Sequence, residues 1–104
     1  MAQFDVYENR NRETNTSIPY LLEVQSELLN DLGTLVVVPL VRASFFGRAA
    51  TRLNPQFTVN QNLVVMSTPE LAGISLSHLG KKVCSLKDQR DEIIATLDFL
   101  FTGF

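Results

Sequence analysis

The chain has 104 residues, enough for one compact domain and too few for two. Hydrophobic residues make up 45 % and charged residues 19 %, the balance of a folded protein and not of a disordered one. A formal net charge of −2 argues against a broad phosphate-gripping surface, and a single cysteine, Cys84, excludes both an intrachain disulfide and a multi-cysteine metal site.

In chain order, residues 3–7 read as a short strand with Phe4 and Val6 on one face. The start carries no basic residues followed by an apolar stretch, so no secretory signal is expected. Residues 8–17 are polar throughout and read as a solvated hairpin loop. Residues 18–25 return to strand character, and Asn30-Asp31-Leu32-Gly33 is a turn signal. Residues 34–40 are rich in β-branched side chains, and the unbroken run Leu35-Val36-Val37-Val38 predicts a strand covered on both faces. The apolar stretch 35–41, interrupted by Pro39, is far short of the about 20 residues a membrane-spanning helix needs. With a lone thiol suited to a reducing compartment, the expected location is the cytoplasm.

Residues 43–50 suggest a helical turn or irregular crossover. Phe57-Thr58-Val59 and Leu63-Val64-Val65-Met66 flank Asn60-Gln61-Asn62 and predict a β-hairpin. Residues 71–76 read as a further strand and 77–80 as a turn. The last segment reads as a helix: Ser85 has capping-box spacing to Asp88, and Leu86, Ile93, Ile94, Leu97, Leu100 and Phe101 share one side, with Gly103 as the stop. Several short strands followed by one helix indicate a β-rich α+β fold, a small barrel or rolled sheet with a helix packed on it, spanning residues 1–104 as a single domain.

The residues carry little sign of catalysis. His78 is the only histidine; Ser75 and Ser77 are its neighbours, but no nucleophile-elbow pattern surrounds any serine, and a surface-turn role is expected. Lys81 and Lys82 near Cys84 are in position to lower its pKa, although a structural thiol is the commoner case. Carboxylate pairs such as Glu23 with Glu27, or Asp91 with Asp98, read as solvated surface charges. Arg42, Arg48 and Arg52 form the one local basic excess, readable as a solvated face or as contacts to RNA or an acidic protein. The ending Asp98-Phe99-Leu100-Phe101-Thr102-Gly103-Phe104 stands apart. Phe101 falls with the Leu97 stripe while Phe99 points nearly opposite, so helical geometry alone cannot bury every aromatic ring. Either Phe99 packs under a loop and Phe104 folds back, or the end meets another chain.

Taken together, these stretches resemble the CcdB family. Gln3-Phe4-Asp5-Val6-Tyr7 is similar to that family's Gln-Phe-x-Val-Tyr start. Glu23-Val24-Gln25-Ser26-Glu27-Leu28-Leu29 resembles its Asp-Val-Gln-Ser-Asp-Ile-Ile block, and Val37-Val38-Pro39-Leu40 its Val-Ile-Pro-Leu. Leu79-Gly80 and Arg90 also fall in matching places, and Phe101-Thr102-Gly103-Phe104 is similar to Phe-Trp-Gly-Ile or Ile-Thr-Gly-Ile. The likeness runs from residue 4 to 104. It implies an SH3-like β-barrel of the CcdB/MazF/Kid type with a small accessory sheet and a C-terminal helix. It also implies a cytoplasmic bacterial homodimer that acts as a toxin by binding the A subunit of DNA gyrase while the DNA is cleaved. Such a protein has no catalytic activity, cofactor or metal of its own, no membrane contact and no sequence-specific nucleic-acid binding, and a CcdA-type antitoxin neutralises it through a disordered arm. Carried over position by position, the gyrase contacts correspond to Leu28, Leu29, Asp98, Phe101, Thr102, Gly103 and Phe104. Thr102 lacks the indole of some relatives, and Phe104 is larger than the usual Ile. Two alternatives follow from the same residues: an endoribonuclease of the MazF/Kid type on the same fold, using Arg42, Arg48 and Arg52, or a non-toxic antitoxin-binding homologue.

Overall fold

The computed structural model describes residues 2–26, 33–49 and 52–103. Among the described residues, seven strands, β1 (Asp5–Asn9), β2 (Tyr20–Glu23), β3 (Thr34–Arg42), β4 (Gln56–Val59), β5 (Asn62–Met66), β6 (Ala72–Ser75) and β7 (Leu79–Ser85), precede one α-helix, α1 (Arg90–Thr102). The strands run in the order β4-β5-β3-β2-β1-β7 with every pairing antiparallel, and β6 pairs β3 beside this path. The result is a curled, partly closed barrel with a helix at its C-terminal end, in agreement with the β-rich α+β class expected from the sequence.

The organising element is β3. On one edge, residues 37–40 pair β2; on the other, Leu40, Val41 and Arg42 pair β5, while Thr34 to Val37 pair β6. Pro39 sits where the second edge changes partner. Its carbonyl accepts the Ser67 N–H there at 3.0 Å, so the donor a proline lacks would have faced the gap between β6 and β5 and not a ladder. The side chains of β3 alternate into two cores. Val38 and Leu40 join the main cluster with Phe4, Val6, Leu22, Val64, Met66 and Ile93, whereas Leu35 and Val37 join a smaller one with Tyr7, Leu21 and Leu79. The strand is thus covered on both faces, as its β-branched run predicts.

The 56–66 hairpin also forms as expected, with a tighter turn. Val59 pairs Asn62, leaving Asn60 and Gln61 as a two-residue turn with φ of 48° and 67°. Three expectations are corrected. Residues 79–85 are a strand, β7, where only a turn ending at Gly80 was expected. This strand lies at the end of the sheet path and its register to β1 shifts twice, so no clean alternation marks it. Residues 8–17 are not simply a solvated loop: Glu8 and Asn9 belong to β1, and the rest is bonded to itself and to β3. Asn9 Nδ2 donates to the Ile18 carbonyl and Thr14 Oγ1, the Asn11 carbonyl accepts from the Thr14 and Asn15 N–H groups, and Arg42 Nε donates to the Thr16 carbonyl. Ser85, finally, does not cap α1. Its Oγ accepts the Lys87 N–H at 3.2 Å and opens a short 3-10 turn, Lys87–Gln89, from which α1 continues at Arg90.

Candidate functional site

The end of α1 is built by three local effects. Asp91 and Glu92 lie in its first turn, where the helix dipole favours acid. Ile93 is fully buried and Thr96 nearly so, with Thr96 Oγ1 donating to the Glu92 carbonyl at 2.8 Å, while Leu97 and Ile94 pack against the main core. Burial then falls away along the helix. Leu100 is half-buried, and Phe101, which the hydrophobic pattern places in the core stripe, is 69 % exposed. Gly103 stops the helix in the left-handed region (φ 78°), with its N–H donating to the Phe99 carbonyl at 2.9 Å.

Phe101 and Thr102 stand three and four residues after Asp98, so both neighbour it on the helix surface. All three are exposed, as is Gly103. Thr102 Oγ1 donates back to the Asp98 carbonyl at 2.6 Å, so its proton is used within the helix and its oxygen can only accept from a partner. Four of the seven predicted contact residues thus gather in one patch; Leu28, Leu29 and Phe104 lie outside the described residues. Phe99 faces the other flank. The Arg52 guanidinium covers its ring, 3.9 Å from the centroid, so Phe99 packs under a loop residue, one of the two outcomes its position allowed.

Two of the three arginines have contacts of their own within the chain. Arg42 holds the 10–18 loop and donates from Nη1 to Asn62 Oδ1, Arg48 is exposed, and Arg52 stacks on Phe99. His78 is exposed at the end of the Leu76–His78 turn, and the Ser75 and Ser77 hydroxyls bond each other at 3.1 Å. Among the described residues, no hydrogen bond joins His78 to either serine, and no group of three His, Cys, Asp or Glu side chains could hold a metal ion. Nor is any helix there long and apolar enough to cross a membrane.

One polar cluster is invisible to sequence reasoning. Asp5 and Glu23 are both buried, at 3 % and 0 % exposure, which overturns the reading of Glu23 as a surface charge. The Tyr7 hydroxyl lies 3.4 Å from a carboxylate oxygen of each, and Lys82 Nζ pairs with Asp5 at 3.3 Å. Cys84 is half-buried next to this cluster. Burial first, and the Asp5 charge second, push its thiol pKa up, against the smaller opposing pull of Lys82. The thiol is therefore held protonated, not activated by the neighbouring lysines.

A family model described as CcdB protein matches residues 3–103. The chain belongs to the CcdB family. Its fold is also similar to that of a solved structure described as an endoribonuclease in complex with its cognate antitoxin from a mycobacterial species. The TM-score is 0.72, with 97 % of this chain and 94 % of the other covered at 13 % identity. At that identity the likeness concerns the fold; the CcdB assignment rests on the match over residues 3–103.

Proposed function

We propose that this CcdB-family chain is the toxin of a toxin–antitoxin pair that binds the A subunit of DNA gyrase through the end of α1 and traps the enzyme on cleaved DNA. The protein carries out no chemistry of its own; it acts in the cytoplasm as a homodimer and is neutralised by a CcdA-type antitoxin. The observation that carries this reading is Phe101. A large aromatic side chain, 69 % exposed beside Asp98, Thr102 and Gly103, leaves apolar area in water that a partner would recover. A two-fold dimer presents the patch twice, which matches a target that is itself symmetric. The net charge of −2 suits a protein target better than a nucleic-acid backbone.

The test is deletion of residues 102–104 in the full protein, with supercoiling and cleaved-DNA trapping by purified gyrase as readouts. The truncated chain is expected to stay folded and to lose both effects. If it still traps cleaved DNA, the end of α1 is not the site.

A second reading is favoured by the fold shared with a protein described as an endoribonuclease. It predicts RNA cleavage by the purified protein without gyrase. Arg42 and Arg52 are engaged within the chain, the first on the 10–18 loop and Asn62 and the second on Phe99, which supports the gyrase reading over this one.

A further inference from the structure

We propose that Arg52 is a positioning residue of the docking tip: by stacking on Phe99 it sets the last turn of α1 and so the direction in which Phe101, Thr102 and Gly103 are presented. The helix supplies no basic residue in its last turn, where exposed carbonyls concentrate partial negative charge and Asp98 adds more. Arg52 brings that missing cation from the segment before β4. Its guanidinium lies over the Phe99 ring at 3.9 Å, and among the described residues it forms no ion pair.

The base from which Arg52 reaches is itself fixed. Asn54 Nδ2 donates to the Met66 carbonyl at 3.1 Å, and the Pro55 carbonyl accepts the Met66 N–H at 2.9 Å. Met66 is fully buried in the main core. The other end of the chain of contacts is equally specific. The residue whose ring Arg52 covers is the one whose carbonyl accepts the Gly103 N–H. Fixing Phe99 therefore fixes the cap. Because Phe99 and Phe101 are separated by about 200° around the helix, seating the first turns the second toward solvent. The contacts run from the core through Met66, the 54–55 segment, Arg52 and Phe99 to Gly103.

The gyrase part of this inference rests on the proposed function; the positioning part does not, and two readouts on the full-length protein separate them. The first is amide hydrogen exchange at Gly103 and Phe99, followed by NMR. The second is affinity for the gyrase A subunit. Arg52→Gln is expected to speed exchange at Gly103 about two- to fivefold, to weaken gyrase binding by about the same factor, and to leave the thermal midpoint of the barrel unchanged. Arg52→Lys keeps the charge without the planar stack and is expected to recover part of both losses. Phe99→Leu, with Arg52 intact, is expected to reproduce the Arg52→Gln losses, and the double variant to be no worse than either single one. Unchanged Gly103 exchange in Arg52→Gln overturns the proposal. So does full gyrase affinity in Phe99→Leu alongside a loss in Arg52→Gln, because Arg52 would then touch the target directly. Faster Gly103 exchange with no change in gyrase affinity overturns the presentation claim, because the set of the last turn would not govern docking, and leaves the gyrase reading to the deletion of residues 102–104.

Discussion

Tyr7 and Glu23 meet across the β1–β2 pair with 3.4 Å between the phenol oxygen and Oε1. The same hydroxyl stands 3.4 Å from Asp5 Oδ2, and it has one proton to donate. Both carboxylates are buried, so each depends on protein partners to replace water: Lys82 and the Ala2 N–H serve Asp5, and the phenol bridges toward Glu23. Removing the hydroxyl withdraws the single proton that these two buried acceptors share. Tyr7→Phe is expected to cost about 1–3 kcal/mol, read as a lower denaturant midpoint at unchanged slope.

The same cluster sets a pH dependence. Burial first, then the charges of Glu23 and Asp5, raise the Tyr7 phenol pKa above its ordinary value of about 10. A raised folded-state pKa means that above about pH 10 the unfolded chain binds fewer protons than the native one, so stability is full below that pH and falls as pH rises through it. Unfolding free energies measured from pH 9 upward are expected to decline with pH, and the decline to be shallower in Tyr7→Phe. Equal slopes in the two proteins would show that the phenol ionises alike in both states.

Gly80 is required by the way β7 crosses β1. A Cβ built there lies 2.9 Å from Glu8 Cβ, 3.0 Å from the Glu8 carbonyl oxygen and 3.2 Å from Arg10 Cγ. The Arg10 stem can swing aside, but the Glu8 backbone cannot without opening the irregular β1–β7 ladder. Gly80→Ala is expected to destabilise by about 1–3 kcal/mol. Faster amide exchange confined to β7 and β1 would locate the damage; a variant as stable as the parent would show that the ladder slides to make room.

What could be read from the residues, and what could not, follows from these contacts. β3 and the β4–β5 hairpin announce themselves because their apolar runs are rich in valine and their breaks fall at Asn60-Gln61 and Pro55. β7 does not, because a strand at the end of the sheet with two register shifts buries little on either face; Gly80 signals a turn in sequence and a close approach in space. In the site, Asp98, Phe101, Thr102 and Gly103 are neighbours by helix spacing alone. Arg52 and Phe99 are brought together only by the tertiary fold, and no local pattern in either segment marks the pair. Glu23 looks like any surface acid until Asp5 and Tyr7 of the adjacent strand enclose it.

The turn at Asn60-Gln61 pairs a residue that tolerates positive φ with one that does not. Asparagine accepts the left-handed region readily, whereas Gln61, at φ 67°, bears the steric cost of a Cβ there. Two-residue hairpins of this kind favour Asn-Gly. Gln61→Gly is expected to stabilise by about 1 kcal/mol and to raise the thermal midpoint by several degrees, with gyrase binding unaffected because the turn carries none of the proposed contact residues. An unchanged or lower midpoint would mean that the Gln61 side chain contributes more than its strain removes.

Ile93 and Phe101 lie on the same helix and share a hydrophobic character, yet the structure assigns them opposite roles. Ile93 is fully buried among the barrel residues, so Ile93→Ala leaves a cavity worth about 2–5 kcal/mol. Phe101 is 69 % exposed, and Phe101→Ala is expected to change stability by less than about 0.5 kcal/mol while abolishing gyrase trapping. Measured side by side, denaturant midpoints and gyrase trapping should therefore move independently. Ile93→Ala lowers the midpoint and retains trapping at temperatures where the protein stays folded; Phe101→Ala does the reverse. A large stability loss in Phe101→Ala would place the ring in an interior or subunit contact, and any loss of trapping would then follow from a disturbed fold, not from a lost contact with the target.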